Sequence, residues 1–502
     1  MTGDTNAAGA GTAARPSIGL AIGAVAVSGA LLAVSYGLHP LWWAAWLAPA
    51  PVIAVAAASP ARWSRLLGAP AGLIAGVTTF SYYVEVGGLA AAVLILLLRA
   101  AMWAGCVNFA RQMARRTPAW FAVFALPVAG AAIETLVLAV SPHGTAGSLA
   151  YSQMDLLPVI QVAALGGVPA VAFLVLLGGG ALGLVGGRLL GAPVRLGGLA
   201  IAIGLVGALL AAAFAYGTAR LAYAPEPHSL EVALAATDQL RGPQRAWAPV
   251  WRVYGPAVRD AARPGVVAVL PESLALLSPL DAQAAARDVA ELARTRQALI
   301  VVGLGIDGAP GEARDRALVA SPDGTIAWYD KQHLVPGLED AIRPGRSRLI
   351  FQAFGARAGV AICKDMHFAQ LGRGYGAART QLMLVPANDF VRDAWLSDRI
   401  TVLRGVEGGY AIARAARQGV SSVSDRNGRI LAQAASSAQS VTVVHARVPI
   451  PDTTEPTPYV RFGDLFGWSC VAAWLALALG WRLFRSRRSG GSRPREAMDL
   501  QA

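Results

Sequence analysis

Apolar runs long enough to cross a bilayer recur through the N-terminal half of the chain, at about 17 to 38, 40 to 59, 68 to 85, 88 to 109, 119 to 140, 163 to 187 and 197 to 217. A hydrocarbon core takes ~20 helical residues, so each run predicts one crossing. Together they predict a seven-helix transmembrane domain over 16–217. Gly and Ala crowd the runs, which suits helices that approach closely in lipid. Hydrophobic residues make up 55% of the 502-residue chain, too many for an ordinary soluble enzyme.

The basic residues fix an orientation. Arg15, then Arg62 and Arg65, then Arg111, Arg115 and Arg116, then Arg188 and Arg195 fall at every second connection. The loops around His39, Gly87 and residues 141–162 carry no Lys or Arg. By the positive-inside rule the basic connections are cytoplasmic, and seven crossings deliver residues 218–462 to the outer face. A last apolar run, expected as a C-terminal transmembrane helix over 466–484, returns the chain to Arg482, Arg485, Arg487 and Arg488. Residues 485–502 then form a basic cytoplasmic tail, and the small polar residues 1–15 a disordered one. The first run continues into the second without a cleavage-like context, so it is expected to be retained. The net charge of +13 belongs to these loops, and no nucleic-acid partner is implied.

Residues 229–449 follow another pattern. Short apolar runs such as LEVALAA near 230, GVVAVL at 265, QALIVVGLGI at 297, RALVAS at 316, GVAIC at 359 and QLMLVPA at 381 alternate with helix-like stretches at 281–295 and 398–416. Alternating strands and helices predict one α/β layered domain, inserted before the last transmembrane helix. Of three cysteines, Cys106 and Cys470 lie in apolar stretches, which leaves Cys363 the lone thiol of the polar part. No disulfide framework or zinc spacing is available. Only Lys331 and Lys364 among 43 basic residues are lysines. A lysine kept against that bias suits a task needing a compact ammonium.

Several of the strands end in a polar residue: Glu272 after GVVAVLP, Lys331 after TIAWYD, Cys363 closing GVAIC and Asn388 closing QLMLVPAN. Ligands bind at the carboxyl edge of such sheets, so one edge gathers a carboxylate, an ammonium, a thiol and an amide. A carboxylate can take the proton of a thiol, and an ammonium with a backbone N–H can hold the oxyanion that follows nucleophilic attack. A buried structural cysteine, and a Cys–His pair with His367 or His333, are the competing readings.

LPES at 270, YDKQHLVP at 329 and AICKDM at 361 resemble the nitrilase, or carbon–nitrogen hydrolase, superfamily. The resemblance implies an αββα sandwich with Glu272 as base, Lys331 stabilising the intermediate and Cys363 acylated. Lys331 to Pro336 with Glu339, the loop GSLAYSQ at 147–153 followed by Pro158, Gln161 and Gly166, the intramembrane Glu134, and TPYVRFGD at 457–464 are similar to the membrane-bound branch, the apolipoprotein N-acyltransferases. That branch implies a multi-pass protein of the bacterial inner membrane with its catalytic domain on the periplasmic side. It also implies a phospholipid acyl donor, a Cys363 thioester and a diacylglyceryl-modified apolipoprotein as acceptor, with no cofactor and no metal. Glu339, Asp365 and Asn388 are then supporting residues, and Trp247, Trp395, Tyr151 and Gln153 candidates for contact with substrate.

This sequence departs from the family pattern at Lys364 and Asp365, where an aromatic residue and Glu usually follow the cysteine. It departs again at Asn388 to Val391, with Trp395 displaced, and at Arg314, Asp315 and Arg316 in place of Tyr-Asn-Ser. A membrane-tethered amidase, an acyltransferase with another amine acceptor and an idle membrane scaffold are the alternatives. Arg99, inside the fourth run, is expected to snorkel or to pair with Glu134.

Overall fold

The computed structural model describes residues 16–60, 66–222, 228–240, 242–309, 311–452 and 455–489, with side chains as far as 479. The expected disordered segment 1–15, Arg62 and Arg65, the side chains of Arg482, Arg485, Arg487 and Arg488, and residues 490–502 of the tail lie outside the described residues. Among the described residues, five helices are long and apolar enough to cross a membrane: Ile18–Ser35, Val77–Ala114, Ala119–Val140, Ala163–Leu189 and Leu196–Leu221. Trp42–Ala58 and Leu465–Leu479 are shorter apolar helices.

Glycine and proline account for the differences from the expected runs. Val77–Ala114 holds the end of the run at 68 to 85, which begins in the helix Gly68–Ala75, and all of the run at 88 to 109, and at Gly88 (φ +80°) the backbone leaves the helix and doubles back. Beyond that reversal Leu96 faces Gly76, Arg99 and Ala100 face Gly72, and Trp103 and Ala104 face Gly68. A positive φ costs glycine nothing, so the hairpin turns there. The run at 40 to 59 divides at Pro49 into Trp42–Leu47 and Ala50–Ala58, because proline gives no N–H to the helix. Arg99 does not pair with Glu134: its Nη1 lies 3.3 Å from the Ala75 carbonyl and 3.4 Å from Thr79 Oγ1, and its guanidinium covers the Tyr36 ring. Glu134 instead accepts from Ser148 Oγ (2.8 Å) and Leu149 N (3.0 Å), fixing the loop at 141–154.

The remaining part is a sandwich of two sheets. Its strands are β1 (His228–Ala236), β2 (Val266–Val269), β3 (Leu276–Leu277), β4 (Leu299–Ile306), β5 (Arg314–Ala320), β6 (Ile326–Asp330), β7 (Leu349–Ala353), β8 (Ala356–Val360), β9 (Leu382–Asn388), β10 (Ala411–Arg417), β11 (Val420–Ser424), β12 (Ile430–Ala435) and β13 (Thr442–Ile450). One sheet runs β13-β1-β2-β4-β5-β6 with β3 beside β4, and the other β12-β11-β10-β9-β8-β7. The central strands are parallel and buried on both faces, which is why they read as unbroken apolar runs. Val232, Leu234, Val267 and Val301 of the first sheet meet Ala358, Val360, Leu384 and Ala413 of the second. Helices Trp247–Ala261 and Pro279–Arg296 cover the outer face of the first sheet. Ala369–Ala377 covers the second, with Ala394–Gly408 beside it, giving αββα.

The sandwich meets the apolar helices along Ala394–Gly408. Ile400, Leu403 and Val406 of that helix pack with Tyr151, Ile160, Val168 and Val171. At the same joint Gly144 (φ +59°) lies against the backbone of His367, where a Cβ would sit 2.3 Å from the carbonyl oxygen.

Candidate active site

Three of the polar strand ends converge. Lys331, the residue after β6, is 1% exposed, and its Nζ lies 2.6 Å from Glu272 Oε1 and 2.6 Å from Glu339 Oε1. Asp315 Oδ2 stands 3.5 Å from the same nitrogen. Burial alone would lower the lysine's pKa, but the carboxylates of Glu272, Asp315 and Glu339 raise it well above the usual value. The carboxylates therefore favour the ammonium form. Glu272, Asp315 and Glu339 bring carboxylate oxygens within 4.8 Å of one another, a spacing that could hold a metal ion. Here the Lys331 ammonium is the cation among them.

Close backbone approach makes this possible. Glu272 follows β2 and passes over Gly303 of β4, where a Cβ would come within 2.4 Å of Glu272 Cα. The Glu272 N–H donates to the Ala387 carbonyl (3.3 Å) at the end of β9, joining the two sheets at the site. Glu339 is held from the other side, its Oε2 accepting from Val335 N at 2.7 Å.

Cys363 opens a tight turn after β8, with φ +42°. A non-glycine residue in that region is strained, and such strain concentrates where a side chain must be presented at a fixed angle. Its Sγ lies 3.7 Å from the Asn388 carbonyl oxygen. Burial first and the Glu272 carboxylate second push its pKa well above the usual thiol value, with Lys331 opposing. Both effects favour the neutral thiol at Cys363.

Asp365 builds the turn. Fully buried, it accepts from Ile362 N (3.0 Å), Gln332 N (3.1 Å), His333 N (2.8 Å) and Tyr329 Oη (2.8 Å). It thereby ties the turn carrying Cys363 to the segment that follows Lys331. Lys364 Nζ donates to the Leu334 carbonyl (2.9 Å), and burial lowers this lysine to about 8. The Cys–His reading finds no such geometry. His333 lies against Asp365 and stacks on Phe368, and burial pulls His367 down to about 3.

Asn388 reaches the site through its main-chain carbonyl, and the remaining expected residues fall elsewhere. Asn388 ends β9 with its side-chain Oδ1 buried and without a hydrogen-bond partner, beside the Asp389–Arg414 ion pair. Burial raises Asp389 to about 7 even though Arg414 opposes. Trp247 stacks on Trp251 in the helix layer outside the first sheet, next to a 420 Å³ surface cleft that Arg252 and Arg259 also line. Trp395 packs on His39 and under Arg399. Tyr151 and Gln153 are buried in the joint: Tyr151 Oη bonds Thr145 Oγ1 and Arg404, and Gln153 bonds Trp46 Nε1 (2.8 Å) and the Trp42 carbonyl (3.0 Å). Arg404 pairs with Glu407, whose Oε1 accepts from Val168 N of the long apolar helix at 2.9 Å. Thr145 N and Oγ1 both donate to the His367 carbonyl, 2.9 and 3.0 Å away. A continuous buried network thus runs from that helix to the turn carrying Cys363. Asp315, Arg404 and Glu407 were not expected from the sequence.

Comparison with known proteins agrees with both halves. Residues 28–181 match the family model of the apolipoprotein N-acyltransferase N-terminal domain, and residues 239–455 that of carbon–nitrogen hydrolase. An apolipoprotein N-acyltransferase from Geobacter metallireducens is 28% identical over 91% of this chain and 94% of its own length. Among solved structures, an amidase from Nesterenkonia sp. AN1 is 20% identical over 46% of this chain and 95% of its own (TM-score 0.40). A CN-hydrolase superfamily protein from Xanthomonas campestris is 23% identical over 44% and 91% (TM-score 0.38).

Proposed function

The chain belongs to the apolipoprotein N-acyltransferase family, and from that premise we propose that it moves an acyl chain from a membrane phospholipid, through a Cys363 thioester, to the terminal amine of a diacylglyceryl-cysteine lipoprotein. The observation that carries this reading is the Lys331 cage beside Cys363, joined by buried hydrogen bonds to apolar helices. Glu272 takes the thiol proton, and the thiolate attacks the donor ester. Lys331 and the N–H of Lys364 stabilise the oxyanion, and the lysophospholipid leaves with the proton from Glu272. In the second half the acceptor amine attacks the thioester, Glu272 takes the amine proton, and the Cys363 thiolate is released to be reprotonated. Glu339 keeps Lys331 in place through both halves. Both substrates are lipid-borne, which gives the apolar helices a role: they hold the site where acyl chains enter from the side.

The match over 28–181 favours transfer to an amine over a tethered amidase. In this reading the chain crosses the bacterial inner membrane with the sandwich on the periplasmic face. The test is restoration of N-acylation in cells depleted of their own enzyme, read by mass spectrometry of lipoprotein N-terminal peptides. Three-chain peptides are expected. Two-chain peptides, with the protein present in the membrane, would reject the acceptor. A thioester trapped on Cys363 from labelled phospholipid, and lost in Cys363→Ala, tests the chemistry separately.

A further inference from the structure

Lys331 stands among more carboxylates than it can neutralise. Glu272, Asp315 and Glu339 approach one ammonium at a site where Glu272 and Asp315 are buried and Glu339 partly so, and three like charges within 4.8 Å do not readily all ionise there. Glu272 and Glu339 each receive a hydrogen bond from Nζ at 2.6 Å. The Glu339 carboxylate also accepts from Val335 N. Asp315 is placed differently. Its Oδ1 accepts from Ser273 Oγ (3.1 Å), while its Oδ2 is buried with no hydrogen-bond donor, although Nζ is 3.5 Å away. A buried ionised oxygen without a donor is costly, whereas a protonated one beside a carboxylate is itself a donor.

We propose that Asp315 is a positioning residue that stands as the neutral acid, its Oδ2 proton directed at Glu272, so that the third ammonium hydrogen of Lys331 remains free for the oxyanion. An ammonium has three donors, and Glu272 and Glu339 use two. Were Asp315 ionised it would draw the third. Burial and the neighbouring Glu272 carboxylate both favour the protonated form, against Lys331. The charged and titratable groups that face Asp315 are Glu272 after β2, Lys331 after β6 and Glu339 beyond it, with Cys363 across the site. Its strand neighbours Arg314 and Arg316 turn instead to Asp330.

The inference rests on the Glu272–Lys331–Cys363 reading above, so its test needs a readout that no particular donor or acceptor controls. Alkylation of Cys363 by iodoacetamide, followed by mass spectrometry on the full chain in detergent, serves that purpose from pH 6 to 10. Thioester formation from labelled phospholipid is measured in parallel. In the wild type, loss of the Asp315 proton adds a negative charge beside Glu272 and occupies Lys331, the two groups that act on the sulfur, so both rates fall behind at alkaline pH. Asp315→Asn, which keeps a donor towards Glu272 and cannot ionise, should remove that alkaline limb and exceed the wild type threefold or more at the highest pH. Asp315→Ala, which keeps no donor, should lose thioester formation about tenfold throughout. Ser273→Ala, which removes the one donor to the ionised form, should move the limb upward even if the Asp315 variants do not fold. An alkaline limb unchanged in Asp315→Asn, or in Ser273→Ala if the former is unfolded, overturns the inference. If alkylation responds as stated while phospholipid acylates neither protein, the functional reading fails and the role of Asp315 stands.

Discussion

Two buried ionic clusters lie at opposite ends of one network, and they are built differently. Around Lys331, three carboxyl groups crowd one ammonium. In the joint, Arg404 meets one carboxylate, Glu407, and a phenol, Tyr151. Surplus acid around a compact, rotatable ammonium lets protons redistribute, which chemistry requires. A guanidinium locked to one carboxylate holds its charge and its geometry, which suits a joint that must not move. The same contrast separates the Glu272–Lys331 contact from Asp389–Arg414 nearby, where arginine again stands against a single acid and also holds the Val420 carbonyl.

The largest effect should come from exchanging the logic of the first cluster for that of the second. In Lys331→Arg the charge stays, but a planar fork replaces a point donor at a buried position. Thioester formation should fall about 100- to 1,000-fold while the protein still folds. Trapping of labelled acyl-enzyme measures it. A loss under tenfold would mean that charge alone suffices, and the distinction between the clusters would dissolve.

The reverse experiment breaks the joint. Arg404→Met leaves Glu407 buried and unpaired, at a cost of about 3 to 5 kcal/mol of stability. Thermal unfolding of the full chain in detergent reads that loss, and the pH profile of Cys363 alkylation should keep its shape in the folded fraction. A changed profile would place Arg404 within the chemistry. Tyr151→Phe removes only the hydroxyl shared with Thr145 and Arg404, so the loss should be about 1 to 3 kcal/mol. Equal losses from the two variants would show that the phenol, and not the ion pair, carries the joint.

The clusters also differ in how far the sequence disclosed them. Glu272, Lys331 and Cys363 each follow a short apolar strand, and parallel central strands bring their carboxyl ends to one edge, so the site could be read from where apolar runs stop. Asp315 opens a strand instead of closing one. Because β5 runs antiparallel to β4 and β6, its beginning lies at the same edge, a fact about pairing that no local pattern contains. Flanked by Arg314 and Arg316, it resembles the polar start of an exposed strand. Arg404 and Glu407, three apart on a helix, read as a surface pair, and only the docking of the apolar helices buries them. Tyr151 and Gln153 were singled out in the loop sequence, and the structure gives their polar atoms to the joint.

The smallest effect concerns acid, and it belongs to the joint. His367, whose carbonyl receives Thr145, has its ring pulled down to about 3 by burial first and by the Lys364 ammonium second. The unfolded chain takes up that proton near the ordinary histidine value, about 6.5. A base with a depressed folded value contributes stability that is fully present above 6.5 and is lost as pH falls towards 3. Between pH 7 and pH 5 this histidine should therefore remove at most about 2 kcal/mol, whereas the proposed Asp315 proton responds at the alkaline end. His367→Gln carries no such proton, so its melting temperature should drop less than that of the wild type over the same interval. Parallel drops would move the acid sensitivity to the carboxylates, and the joint would then hold its charge at low pH as well as at high.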